Sequence, residues 1–366
     1  MNYILSLLII GFIHLVHSKI DKDLQTFFKK NKCDQKCTFE SGNLTFGTID
    51  LFPSSCETVC ADLQLDQRSN LTENELTSVF KNMKHLIGRL KVLNTNYTSG
   101  KFLSGLESIE CDGNGMLEWG ENFKLLEIGL INLTSIICYR VDIWQNFNLT
   151  RLNMPNLKIL FYPWSKYSLP VKESYIALTF LSTDFCITTN EMATTINVTD
   201  YISYKYCEPV LDDKLCKEPV KGCIEIFGDL EITDDTDLEI MKTIEIIYGS
   251  LIINGTDIKD FGFLESLKYV ASLEKNMEAI IVENNPKLNN ITFPRLKVPR
   301  PEKLFKIVLC FQKIRSTMKS SIRFTNNNEI ISLDPSLCIN LRKSMKLDDE
   351  YIKINDDNCS EFEETL

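Results

Sequence analysis

Residues Leu117-Glu-Trp119-Gly-Glu-Asn122-Phe-Lys-Leu125-Leu-Glu-Ile128 carry a spacing that recurs along the chain. It runs apolar, any residue, apolar, two of any kind, Asn or Thr, then apolar three and six positions later. The spacing returns as Val141, Ile143, Asn146, Leu149, Leu152, as Ile280, Val282, Asn285, Leu288, Ile291, and as Ile322, Phe324, Asn327, Ile330, Leu333. Two shorter copies, Leu90, Val92, Thr95 and Leu251, Ile253, Thr256, have Thr in the Asn place. Apolar residues two apart share one face of a strand, so each copy supplies one short strand to a common core. An Asn after the strand is suited to a sharp corner, because it tolerates left-handed backbone and its amide bonds to main chain. One such unit cannot bury its apolar face alone, so the copies are expected to stack. Copies starting at residues 90, 117 and 141 lie 27 and 24 apart, a length that fits either a right-handed parallel β-helix or a leucine-rich-repeat horseshoe.

A longer repetition divides the chain. Gly88, Leu90, Thr95, Phe102, Leu103 and Leu106 recur at a shift of 161 as Gly249, Leu251, Thr256, Phe263, Leu264 and Leu267. Cys186-Ile187 and Cys207 recur as Cys338-Ile339 and Cys359. Two homologous domains follow, with a boundary between Tyr206 and Lys221, where Pro209, Asp212, Asp213 and Pro219 break any period.

The remaining composition narrows the function. Of 366 residues, 44% are hydrophobic and the formal charge is −10, which describes a folded acidic chain and argues against nucleic acid as a partner. Of the three histidines, His14 and His17 fall in a segment read as a leader, leaving His85. No nucleophile-elbow, phosphate-loop, dinucleotide or His-Glu-x-x-His spacing occurs. The acidic pairs Asp212-Asp213, Asp234-Asp235, Asp348-Asp349 and Asp356-Asp357 fall in linkers or tails, as solvated loops do. A non-enzyme without cofactor or metal is expected.

Residues 3–16 form an apolar stretch of signal-peptide length, with cleavage expected after Ser18 and residues 1–18 removed. No later stretch is apolar enough for a membrane span. Acceptor sequons stand at Asn43, Asn70, Asn96, Asn132, Asn148, Asn197, Asn254, Asn290 and Asn358. The 13 cysteines lack zinc-type spacing, so an oxidising compartment is the natural reading. A secreted, extracellular glycoprotein is expected.

The run Phe123-Lys-Leu-Leu-Glu-Ile-Gly-Leu-Ile-Asn-Leu-Thr-Ser-Ile136, with Val141-Asp-Ile143 and Asn146 after it, resembles the receptor L domain. That is the ligand-contacting domain found in pairs in insulin and epidermal growth factor receptors. Gly249-Ser-Leu-Ile-Ile253 with Phe263-Leu-Glu-Ser-Leu267 is similar to the opening of the same domain. Tyr139 departs from the usual Gly, and only a short linker replaces the cysteine-rich module between the receptors' L domains. The resemblance implies a mainly β chain with short helices, built as two tandem right-handed parallel β-helix L domains of solenoid, leucine-rich-repeat-like form. The expected divisions are a first domain at 33–207, a linker at 208–222, a second domain at 223–359 and an acidic tail at 360–366.

With that resemblance, the repeat implies bridges Cys186–Cys207 and Cys338–Cys359 at equivalent caps, Cys216–Cys223 at the start of the second domain, and Cys111–Cys138 between neighbouring coils. Cys33, Cys37, Cys56 and Cys60 form two more, with partners open, and Cys310 is left over, either a buried thiol or a link to another chain. The aromatic run Phe161, Tyr162, Trp164 and Tyr167 is a candidate ligand contact, the alternative being that its rings fill the domain interior. The implied partner is an extracellular peptide or protein, insulin-like or growth-factor-like, or a cell-surface receptor. The rivals are an adhesive matrix protein and a β-helix enzyme that cleaves polysaccharide.

Overall fold

Parallel pairing is what the repeated spacing produces. The computed structural model describes residues 20–113, 115–160, 175–195, 205–272, 278–296, 322–345 and 352–359. The chain is mainly β with a few short helices and divides into two units, Met1–Thr199 and Asp200–Leu366. The first holds β1 (Thr38–Phe39), β2 (Thr58–Leu65), β3 (His85–Leu93), β4 (Ser108–Glu110), β5 (Met116–Gly120), β6 (Ser135–Ile137), β7 (Arg140–Trp144), β8 (Ile159–Leu160), β9 (Tyr175–Thr179) and β10 (Cys186–Ile187). β1 to β9 form one sheet, and every pairing in it is parallel.

β3 is where that sheet divides. Its first half pairs β4, which continues through β6 to β8, and its second half pairs β5, which continues through β7 to β9. Gly88 stands at the division with φ 132°, and a Cβ there would sit 1.9 Å from the Ala61 carbonyl oxygen, so only glycine fits. Inward residues stack rung on rung. Leu63, Leu90, Leu117, Val141 and Ile176 form one register column, and Leu65, Val92, Trp119, Ile143 and Leu178 a second, all of them buried. Burying such side chains stabilises by about 1.5–3 kcal/mol each, and this is the main attraction holding the rungs together.

The corner chemistry differs in one detail from the sequence expectation. Left-handed backbone falls on the residue before the ladder residue: Asn94 (φ 53°), Glu121 (57°) and Gln145 (51°) in the first unit, Gly255 (68°), Asn284 (58°) and Asn326 (52°) in the second. The ladder residue itself is spent on hydrogen bonds. Thr95 donates its N–H and its hydroxyl to Asn122 Oδ1 at 3.0 and 2.6 Å, and Asn122 Nδ2 donates to the Val92 carbonyl at 2.9 Å. Asn122 N–H donates to Asn146 Oδ1 at 3.0 Å, while Asn146 Nδ2 reaches the Trp119 carbonyl at 2.9 Å. Asn122 and Asn146 are fully buried, so each amide satisfies main-chain groups that water cannot reach.

The second unit holds β11 (Lys205–Tyr206), β12 (Leu215–Cys216), β13 (Glu225–Phe227), β14 (Leu230–Ile232), β15 (Ile246–Tyr248), β16 (Leu251–Asn254), β17 (Tyr269–Val270), β18 (Ile280–Glu283), β19 (Ile322–Thr325), β20 (Ile352–Ile354) and β21 (Asp357–Asn358). β12-β13-β15-β17 and β14-β16-β18-β19-β20 are parallel ladders, and β21 adds to β20 antiparallel. Its corner repeats the first unit's chemistry. Thr256 donates twice to Asn285 Oδ1, at 2.9 and 2.6 Å, Asn285 N–H donates to Asn327 Oδ1 at 3.1 Å, and Asn327 Nδ2 donates to the Val282 carbonyl at 2.8 Å.

Disulfides join Cys33 to Cys60, Cys37 to Cys56, Cys111 to Cys138, Cys216 to Cys223 and Cys338 to Cys359. Cys186 and Cys207 are disulfide-bonded as well. Cys111 and Cys138 follow directly on the Glu110–Ile137 rung, so their bridge extends the β4–β6 ladder. Cys310 and residues 1–18 lie outside the described residues.

Candidate functional site

Strand alternation that turns one set of side chains inward turns the other set outward, and on β3, β5, β7 and β9 that outer set forms a continuous face. One register column reads Gln64, Lys91, Glu118, Asp142 and Ala177. The neighbouring column reads Leu93, Gly120, Trp144 and Thr179. Trp144 lies flat over Gly120, where a Cβ would come within 2.4 Å of the indole ring. Its Nε1–H donates to Glu118 Oε1 at 3.2 Å, which anchors the ring edge and leaves the indole half-buried. A half-covered indole with a fixed polar edge is the kind of side chain that anchors protein interfaces.

Charges surround this ring. Arg140 Nε donates to Asp142 Oδ1, and Asp142 is 7% exposed. Burial pushes the Asp142 carboxyl above its ordinary range, Arg140 opposes that rise and the Glu118 carboxylate adds to it. Further along the face, Asp62 is also pushed up by burial, and its Oδ1 has no hydrogen-bond partner although Arg89 and Lys91 lie on the adjacent strand. Arg89 is committed elsewhere. It forms a two-point bond with buried Asp112, at 2.8 and 2.5 Å, and reaches Asp21 at 2.8 Å. Those bonds raise its already high pKa further, with the Asp112 contact the largest cause. The face therefore offers one aromatic anchor, a lysine and incompletely neutralised carboxylates on rigid strands.

The second unit has a corresponding outer column of Glu231, Ile252, Ile281, Arg323 and Lys353. Arg323 pairs with Glu283 and, at 3.4 Å, with Glu278. Beside it the amides of Asn254, Asn284 and Asn326 form a surface ladder, Asn284 donating to Asn254 at 2.9 Å and Asn326 to Asn284 at 2.6 Å.

His85 Nδ1 lies 2.8 Å from the Ser108 hydroxyl across the β3–β4 rung, and among the described residues no hydrogen bond orients the other ring nitrogen, so the contact reads as a cross-strand pair. Among the described residues no group of three or more His, Cys, Asp or Glu side chains is placed to hold a metal, and no helix is long and apolar enough to cross a membrane.

The sequence candidates fare unevenly. Phe161, Tyr162, Trp164 and Tyr167 lie outside the described residues, as does Asn197. Of the other sequons, Asn70, Asn96, Asn132, Asn148 and Asn290 are exposed, and Asn43, Asn254 and Asn358 are half-buried. The sequence reading passed over Trp144, although its signal was available: Trp144 directly follows Ile143 of a strand copy, at an outward position whose neighbour one copy earlier is Gly120.

With this geometry in place, comparison adds the decisive observation. The family model described as Receptor L domain matches twice, over residues 55–162 and 222–346. The chain belongs to the receptor L-domain family. Both matched segments are L domains of a binding-domain family, the first taking in β2 to β8 and the second β13 to β19, each with the ladder corners of its unit. No curated protein matches the chain.

Proposed function

We propose that this chain is a secreted, non-catalytic glycoprotein whose two L domains wind as right-handed parallel β-helical solenoids and bind an extracellular peptide or protein. The ligand class follows the family, insulin-like or growth-factor-like, and the chain acts as a decoy or co-receptor that sequesters or displays the ligand. The observation that carries this reading is the double L-domain match on a chain whose first unit presents Trp144, Lys91 and Glu118 together on one outward strand face. Six disulfides and the repeated ladder corners support an extracellular setting and a rigid display surface. The carboxylates on the face favour a ligand that brings basic side chains, because a cation would neutralise Asp62 where burial penalises its charge, with the Glu118 carboxylate on the neighbouring rungs adding to the attraction.

The test is titration of the purified chain against a panel of small extracellular peptide hormones and growth factors, read by calorimetry. Saturable binding weakened at least tenfold by Trp144→Ala supports the reading. Saturable binding that ignores Trp144 overturns the assignment of this face, and self-association or retention on cell surfaces with no soluble ligand favours the adhesive matrix alternative.

A further inference from the structure

Phe123 and Phe147 stack in the open, with ring centroids 5.9 Å apart and planes 7° from parallel, at 50% and 51% exposure. Leu126, three residues after Phe123, is 52% exposed. An apolar patch of this kind on a soluble chain calls for a cover. Its position in the repeat indicates one. Phe123 follows ladder residue Asn122, and Phe147 follows ladder residue Asn146. On the preceding rung the ladder residue is Thr95, and the residue that follows it is Asn96. Asn96, Phe123 and Phe147 thus occupy one position on three successive rungs, each about 4.8 Å from the next. Asn96-Tyr97-Thr98 is an acceptor sequon. Asn96 is exposed, the intervening Tyr97 is 8% exposed, and the Asn96 amide makes no hydrogen bond in the structure.

We propose that Asn96 carries an N-linked glycan whose first N-acetylglucosamine lies against the Phe123–Phe147 stack and covers it. The idea rests on the secretory reading above. In the transfer, Asn96 Nδ2 forms a bond to C1 of the sugar and gives up one proton to the transferase. The bond from C1 to a polyprenyl pyrophosphate carrier breaks, and the pyrophosphate leaves with the electron pair. Transfer precedes folding, so the folded structure acts by deciding which modified side chains it can hold. Asn43 is the contrasting case. Its Nδ2 donates to Asp66 at 2.8 Å, its Oδ1 accepts from Ser69 at 3.4 Å, and it is half-buried, so a sugar on Nδ2 would crowd the Asp66 contact. Asn290 is the positive control. It is exposed, and its Oδ1 accepts the Thr292 N–H at 2.9 Å while Nδ2 makes no hydrogen bond among the described residues. A sugar face has C–H groups to set against an aromatic ring, so the Asn96 sugar removes ring surface from water and the two phenylalanines restrain the sugar.

The experiment uses the full chain secreted from eukaryotic cells that make only high-mannose glycans, trimmed enzymatically to a single N-acetylglucosamine per site. Peptide mapping by mass spectrometry is expected to find that residual sugar on Asn96 and Asn290 and an unmodified Asn43. Asn96→Gln is expected to lower the thermal midpoint by about 2 °C, an effect that vanishes in a Phe123→Ser/Phe147→Ser background. An unmodified Asn96 beside an occupied Asn290 overturns the proposal and leaves the secretory reading standing. An equal loss in both backgrounds overturns the stacking role. A chain unmodified at every sequon removes the secretory reading together with the proposal.

Discussion

Asn122→Ala should be among the most destabilising polar substitutions in the first unit. The side chain is fully buried and makes three hydrogen bonds, two accepted from Thr95 and one donated to the Val92 carbonyl. Alanine leaves the Thr95 N–H and the Val92 carbonyl buried without that partner, for Thr95 is only 7% exposed and Val92 not at all. An orphaned buried group costs about 1–3 kcal/mol. The carbonyl also faces the parallel ladder and loses only part of its bonding, so the combined loss is about 3 kcal/mol. The neighbouring Phe123→Ser, at a half-exposed position, should cost less than about 1 kcal/mol in a chain without glycans. The assay is urea unfolding followed by tryptophan fluorescence, which reports the first unit alone because all three tryptophans, at 119, 144 and 164, precede residue 200. A loss below about 1 kcal/mol for Asn122→Ala, or one no larger than that for Phe123→Ser, would refute the view that the buried amides hold the rungs in register.

Further outcomes follow from other residues. Asp62→Asn should raise stability at neutral pH and not at pH 3. Burial lifts the folded-state carboxyl above its unfolded value, so the native chain holds the proton longer and ionisation weakens the fold as pH rises through that window; urea midpoints at both pH values check the sign. Asp21 works in the opposite sense, since bonds from the Leu24 N–H and Arg89 hold its carboxyl low, and Asp21→Asn should reduce stability at pH 7 and have little effect at pH 2. Removing the Cys111–Cys138 bridge by double serine substitution opens a link between residues 27 apart and should cost about 3.5 kcal/mol in the chain-entropy view, measured by thermal unfolding of the first unit. Gly120→Ala should displace the Trp144 ring, whose Cε2 atom lies 2.4 Å from the added Cβ, and change near-ultraviolet dichroism while leaving the far-ultraviolet spectrum intact.

The parts of this molecule that were legible in its sequence are those where one residue type answers one physical demand. Alternating Leu90, Val92, Leu117, Trp119, Val141 and Ile143 announced inward strand positions because a two-residue period has a single structural meaning when a ladder residue follows it. Asn122 and Asn285 announced a corner, yet the sequence could not assign the left-handed residue. Glu121 and Gln145 take that conformation without being residues that favour it, because the ladder bonds of the residue after each hold the backbone there. The bridges among Cys33, Cys37, Cys56 and Cys60 were open to several pairings, and only the fold brings Cys33 to Cys60 and Cys37 to Cys56. The candidate face was least legible. Lys91, Glu118, Asp142 and Trp144 are separated by whole repeats and become neighbours only through register, whereas the contiguous run Phe161, Tyr162, Trp164 and Tyr167 drew attention by proximity alone.

The most direct test of the whole account compares what the purified chain and its Lys91→Glu/Trp144→Ala variant retain from extracellular fluid, by quantitative mass spectrometry, with a Leu333→Ser variant, altered at an exposed site in the second unit, as control. The account predicts a small set of extracellular peptides or proteins held by the unaltered chain and the control and reduced at least tenfold on the face variant. Equal retention by all three would contradict the claim that the outward strand face of the first L domain is where this protein meets its ligand.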